Sequence, residues 1–189
     1  MSDTREQWLN RAVGFCRAHL ADRAQIDLPT AVRVSCGFPG GRGSSRKTIG
    51  QCWPAELSAD ATREMFISPT LSVVREILAT LLHECIHAAL PANVGHKGPF
   101  KRAAIAAGLE GKMTATVASA TLVPTLDSWS ATLGAYPGAA LSLAGRVVQS
   151  TRLIKVECPC GCVARITRKW LDQVGEPTCG CGGLMVANI

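Results

Sequence analysis

The sequence predicts an α+β chain: a helical core with a small antiparallel sheet, then a small cysteine-punctuated module. Three observations predict it. Residues 72–90 keep an apolar stripe at helical spacing and carry His-Glu-Cys-Ile-His at 83–87. Short alternating segments ahead of that helix read as strands. After residue 153, two Cys-x-Cys pairs bracket a basic stretch.

The elements follow in order. Residues 4–23 place Trp8, Ala12, Val13, Phe15, Cys16 and Leu20 at helical spacing among charges, and Leu28-Pro29 closes that helix. Residues 31–36 (AVRVSC) alternate as a strand does. Residues 37–50 are rich in Gly and Ser, carry Arg42, Arg46 and Lys47 without an acid, and read as a loop or hairpin tip. Residues 49–53 and 64–67 supply two further short strands. In the long helix, Val73, Val74, Ile77, Leu78, Leu81, Leu82, Cys85 and Ile86 make the stripe, with Ser72 as the expected N-cap and Pro91 as the stop. Residues 99–107 form another helix, with Pro99 in its first turn and Gly108 past its end. Residues 114–150 are rich in Thr, Ala, Ser and Gly, contain Pro124 and Pro137, and read as a connecting region. The expected boundaries are 1–113, 114–152 and 153–189.

Composition bounds the function. At 47% hydrophobic residues a buried core is expected, and at 5% aromatic residues it must be mainly aliphatic. Residues 1–12 mix both charge signs and lack the apolar run of a secretory signal, and no stretch of 18 apolar residues occurs. The expectation is a cytoplasmic protein with no membrane partner, nucleoid association being compatible with it. In that setting nine cysteines are not a disulfide framework, and five of them between 158 and 181 point to a metal. The net charge of +6 and pI near 9.0 favour acidic partners such as nucleic acid, as a non-specific tendency.

Two histidines four apart on a helix share a face, so His83 and His87 can reach one ion. Glu84 stands one position round, beside the ion, where it can take a proton from an activated water. Catalytic zinc takes three protein ligands and keeps one position open. Only His19 and His96 remain, and Pro91 and Gly95 let the chain turn back after the helix, so His96 is the expected third ligand. Glu110 is the weaker alternative. The bland reading makes His83 and His87 satisfied core histidines, but burying them with a carboxylate and no cation is unfavourable.

Cys158, Cys160, Cys179 and Cys181 form two pairs, each followed by Gly (161 and 182), which allows a tight turn. Four thiolates at this spacing suit a closed, structural zinc, with residues 163–170 as a hairpin strand between the pairs. Cys162 is a spare thiol or a substitute for Cys160. Cys16, Cys36, Cys52 and Cys85 read as small core residues.

LLHECIHA followed by GHKGPFKRAAIAAGL resembles the SprT-like domain of bacterial SprT proteins, Spartan proteases and phage-borne relatives. Residues 37–53 and 65–69 are similar to that family's strands, and many members end in a zinc ribbon. The resemblance covers about residues 5–112 and 153–187. It implies a zincin-like metallopeptidase core, one catalytic zinc on His83, His87 and His96, Glu84 as acid/base, and a structural zinc in the ribbon. Lys97 departs from the pattern, standing where many relatives have Gly directly after the histidine. For Spartan-type members it implies cleavage of proteins crosslinked to DNA.

The resulting expectation is a zinc endopeptidase acting on DNA-associated proteins. Arg165, Arg168, Lys169 and Trp170, with Arg152 and Lys155 just before, would contact nucleic acid by charge and stacking. Lys97, Lys101, Arg102 and Lys112 add a basic zone near the histidines, and Arg42, Arg46 and Lys47 would extend it into a track. The competing expectation is a non-catalytic DNA- or protein-binding adaptor. Tyr136, the only tyrosine, gives no reason to name it as oxyanion stabiliser.

Overall fold

A computed structural model of the chain describes residues 3–40, 48–144 and 153–187. It is mixed α and β, in two compact units, Met1–Leu143 and Ala144–Ile189. No helix among the described residues is long and apolar enough to cross a membrane.

The first unit opens with α1 (Arg5–Arg23). Thr4 caps it by a reciprocal box: its side chain accepts from the Gln7 backbone N–H, and Gln7 Oε1 accepts from the Thr4 N–H at 2.8 Å. Three strands follow, β1 (Val32–Cys36), β2 (Gly50–Trp53) and β3 (Arg63–Ile67), in the order β1-β3-β2. The sheet is mixed rather than antiparallel, because β1 pairs with β3 in parallel and β2 pairs with β3 antiparallel. β1 and β2 run in opposite directions and β3 inserts between them, so one of its two pairings has to be parallel.

Helix α2 (Val74–Ala89) is the centre of the unit. It is buried on almost every side from Ile77 to Ala88, which explains its apolar breadth. Its N-cap is Val73, not Ser72, and no side chain caps it. A turn at Ala92–Val94 leads to α3 (Gly98–Ala106), with Pro99 in its first turn.

Residues 114–143 are part of this unit rather than a connecting region. β4 (Leu109–Lys112) and β5 (Ala115–Ala118) form an antiparallel hairpin, and α4 (Val123–Leu133) follows. Pro124 sits in the first turn of α4, where a missing N–H is harmless. Leu122, Leu126, Trp129 and Leu133 recur at helical spacing and are buried in the core with α1 and α2. Trp8 Nε1 donates to the Gly134 carbonyl at 3.0 Å, and Arg75 of α2 holds Asp127 of α4 through two bonds of 2.5 and 2.7 Å.

The second unit holds a small sheet, β6 (Ile154–Glu157), β7 (Val163–Ile166) and β8 (Val186–Ala187), in the order β7-β6-β8. The predicted strand over 163–170 ends at Ile166, and α5 (Arg168–Val174) begins, capped by the Thr167 side chain on the Trp170 N–H. Among the described residues its buried core is Val156, Cys158 and Met185, with Ala164, Ile166, Leu171, Cys179 and Ala187 packed against it.

Candidate functional site

The structure brings His83, His87 and His96 together in the first unit. His83 and His87 sit one turn apart on α2. His96 is returned to them by Gly95, at φ 54° and ψ −138°, a region that a β-carbon makes strained. His96 Nε2 lies 3.2 Å from His83 Nε2 and 3.1 Å from His87 Nε2. Tetrahedral zinc–nitrogen bonds of about 2.0–2.1 Å would put donor nitrogens about 3.3–3.4 Å apart, so the donor set fits such an ion closely. A neutral imidazole offers one donor and one acceptor, so three nitrogens meeting at one point cannot all satisfy each other without a cation.

Neighbours fix each ring. His83 Nδ1 is 2.8 Å from Thr116 Oγ1 on β5, the kind of outer contact that orients a ligating imidazole. Phe100, fully buried on α3, stacks on His87 at 4.3 Å between centroids and touches His83 and His96 at 4.8 and 5.0 Å. Burial, then the neighbouring rings His87 and His96, lowers the His83 pKa to about 3. Burial, then His96, lowers His87 to about 4, and burial lowers His96. All three therefore stand in the neutral, ligating form at ordinary pH.

Glu84 shares their cleft and is 5% exposed. Burial pushes its carboxyl up to about 8. Gly50 of β2 packs directly on this carboxylate. The cleft holds about 780 Å³ and runs between β2, α2, the His96 turn and the tip of the β4–β5 hairpin. β2 is an edge strand paired only with β3 among the described residues, and Gly50, Gln51 and Cys52 line the cleft.

Other expectations resolve individually. His19 Nε2 lies 2.9 Å from the Ala107 carbonyl, far in sequence and role from the cluster. Glu110 is exposed on β4 and does not join the three histidines. Tyr136 is buried against Trp8, edge to face at 5.1 Å, and its hydroxyl meets Cys36 Sγ, so it does not line the cleft. Cys85 faces Met65 Sδ at 4.0 Å, away from the ligand face. Cys52 is only half-buried and lines the cleft, with its thiol pushed to about 12 by burial and by Glu84.

In the second unit Cys158, Cys160, Cys179 and Cys181 converge. Sγ158 is 3.5 Å from Sγ181, and Sγ160 is 3.7 Å from Sγ179. Tetrahedral zinc–sulfur bonds of about 2.3 Å imply about 3.8 Å, again a close fit. Two matching turns present the thiols: Gly161 N–H bonds Cys158 O and Cys158 N–H bonds Cys162 O, while Gly182 N–H bonds Cys179 O and Cys179 N–H bonds Gly183 O. Cys162 thus occupies the turn position that Gly183 fills in the other pair, and it is not among the four converging thiols. The Cys181 N–H draws the Cys179 thiol below its ordinary pKa, toward the thiolate. The three buried side chains among the described residues make a small core for an independent unit, and an ion on these four thiols would supply a staple.

Arg165 lies on β7, while Arg168, Lys169 and Trp170 lie on α5, and all four are exposed. Lys169 Nζ sits 5.8 Å from the Trp170 ring centroid. Lys155 is paired with Glu157 at 2.6 Å. Lys97, Lys101, Arg102 and Lys112 are exposed on the first unit, and Lys112 lines the cleft. Arg42, Arg46, Lys47 and Arg152 lie outside the described residues. Thr116 and Phe100 were not among the predicted site residues. Phe100 was within reach, since it follows His96 by four residues inside the same quoted motif.

Family models, curated proteins and solved structures were compared with the chain, and none matches.

Proposed function

We propose that this chain is a zinc-dependent endopeptidase of the SprT-like type, with a zincin-like first unit and a zinc ribbon as the second. The observation that carries the reading is the convergence of three imidazole Nε2 atoms, at 3.1 and 3.2 Å, in the cleft that holds a buried carboxylate.

His83, His87 and His96 would hold a zinc ion, which would supply Lewis acidity toward a water and a substrate carbonyl. The chain's own residues do the rest. Glu84 takes the proton of the attacking water and returns it to the leaving amine. Without a metal, burial holds the Glu84 proton up to about pH 8; a cation on the three imidazoles would favour the ionised carboxylate and free it to act as the base. The edge strand β2 offers backbone N–H and C=O groups along the cleft, so an extended polypeptide can add as a further strand beside Glu84. That edge favours a peptide over other hydrolysable bonds. A purely structural domain has no use for a carboxylate buried in a cleft, which weighs against the adaptor reading.

The substrates proposed are DNA-associated or DNA-crosslinked proteins. The exposed Arg165, Arg168, Lys169 and Trp170 suit backbone contact and base stacking on the second unit, and Lys97, Lys101 and Arg102 do so on the first. The test is turnover of a DNA-bound protein by wild type and Glu84→Gln, with and without DNA, alongside metal analysis. Two zinc ions per chain, one lost in His83→Ala, and turnover abolished in Glu84→Gln are expected. Equal turnover by Glu84→Gln would falsify the enzyme reading; absence of DNA binding would remove the nucleic-acid partner, and binding with only weak salt dependence would remove the contact through the basic residues.

A further inference from the structure

The outer face of the three-stranded sheet carries a second groove. Val34, Met65 and Ile67 are buried on the inner face, so the alternate residues Trp53, Glu64 and Phe66 face outward. With Phe38, Leu57 and Ser58 they line a groove of about 360 Å³, at the small end of ligand pockets. Phe38 and Leu57 are 50% and 68% exposed. Three of the chain's nine aromatic side chains meet here, outside the buried core.

The groove has no unpaired charge to offer. Glu64 accepts from Arg33 at 2.7 Å, and Ser58 donates to Asp60 at 2.7 Å. Its far wall is fixed, because Gln51 accepts from the Gly40 N–H at 3.0 Å and donates to the Gly40 carbonyl at 2.9 Å. One strand connects it with the cleft: Gly50, Gln51 and Cys52 line the cleft and Trp53 lines the groove. Three residues of strand span about 10 Å.

We propose that this groove is a substrate subsite, taking one large apolar side chain of a polypeptide extended along β2, about three residues from the bond held beside Glu84. The proposal rests on the peptidase reading above. The occupant is extended because the groove is reached along a strand edge. It is apolar because Phe38, Trp53, Leu57 and Phe66 supply most of the wall, and the polar side chains of Glu64 and Ser58 already have partners. It is a side chain rather than a second folded surface because the groove is small and Trp53, which lines it, directly follows Cys52 of the cleft on the same strand.

The test uses the zinc-loaded full chain and fluorogenic peptides sharing one scissile bond, with Leu, Phe, Gly or Asp placed in turn at each flanking position. At one position about three residues from the bond, Leu and Phe should raise kcat/KM about tenfold over Gly, and Asp should not. In Leu57→Ser and in Trp53→Ala that ratio should fall below about twofold. Leu57 is exposed, so its variant should melt as the wild type does. Anisotropy of labelled peptides on Glu84→Gln should give the same ranking without turnover. Cleavage that depends on Glu84 but ignores the flanking side chain, or a preference that survives both variants, overturns the subsite and leaves the peptidase standing. Cleavage that is equal in wild type and Glu84→Gln sinks the peptidase reading itself.

Discussion

Gly50 leaves no room for a side chain beside Glu84: a β-carbon there would stand 2.7 Å from Thr80 Cγ2 and closer still to Glu84 Oε1. Strand and helix therefore meet backbone to carboxylate. Gly50→Ala should push the Glu84 carboxylate aside while leaving the three imidazoles in place. The expected result is a loss of about a hundredfold in kcat, the scale of a misplacement of about 1 Å, with zinc content unchanged. Zinc loss in step with activity would show that the substitution disturbs α2 as a whole.

Thr116 hydrogen-bonds one ring of the three-histidine cluster, that of His83. Thr116→Val keeps the shape of the side chain and removes its hydroxyl. Zinc affinity of the first unit should fall about 10- to 100-fold, measured by chelator competition, with little change in melting of the zinc-loaded protein. Thr116→Ser should restore most of the affinity, since it returns the oxygen.

Phe100 packs against all three rings. Phe100→Ala should destabilise the first unit by about 3–5 kcal/mol and loosen the ligand geometry with it. Phe100→Leu keeps most of the volume, so folding should largely survive. Cobalt(II) absorption then separates the two effects. A wild-type d–d spectrum in Phe100→Leu would mean that the ring only fills space.

The metal-free first unit should have a stability maximum near pH 6.5. His83 and His87 have folded pKa values lowered to about 3 and about 4, so below 6.5 the unfolded chain takes up protons that the folded chain refuses. Stability from those two rings is lost as pH falls through that window. Glu84 is raised from 4.5 to about 8, so the folded chain keeps a proton that the unfolded chain has released. Its contribution is lost as pH rises from 4.5 to 8. Between 4.5 and 6.5 the imidazoles outweigh one carboxylate and stability climbs; above about 7, where the unfolded histidines have lost most of their protons, Glu84 dominates and stability declines, by about 1 kcal/mol up to pH 8. Urea unfolding of the chelated protein should show this descent in wild type and not in Glu84→Gln.

How much of this was legible in the sequence differs by element. α2 and the shared face of His83 and His87 were readable because motif and stripe lie on one continuous helix, where period alone sets which side chains share a face. The Cys turns were readable for the same local reason. The parallel pairing of β1 with β3 was not, because it depends on which strand inserts between two others, and no short window records that. Residues 114–143 were misread through their Thr, Ala and Gly content and Pro124, although Leu122, Leu126, Trp129 and Leu133 carry a helical period. Missing that hairpin and helix also hid Thr116. In the second unit, alternation over residues 163–166 was extended too far, past Thr167, which is a helix cap.

The three histidines are not held alike. His83 and His87 are carried by the most enclosed helix of the unit, whereas His96 hangs from a short turn around Gly95 and is more open to water. Any ion that enters or leaves must first gain or lose a donor, and the donor that can swing without disturbing the core is the one on the turn. Uptake and release of metal should thus be governed by the stiffness of residues 91–97, while the selectivity of the seat is set by the helix. Stiffening that turn would slow exchange in both directions without altering which ion is preferred.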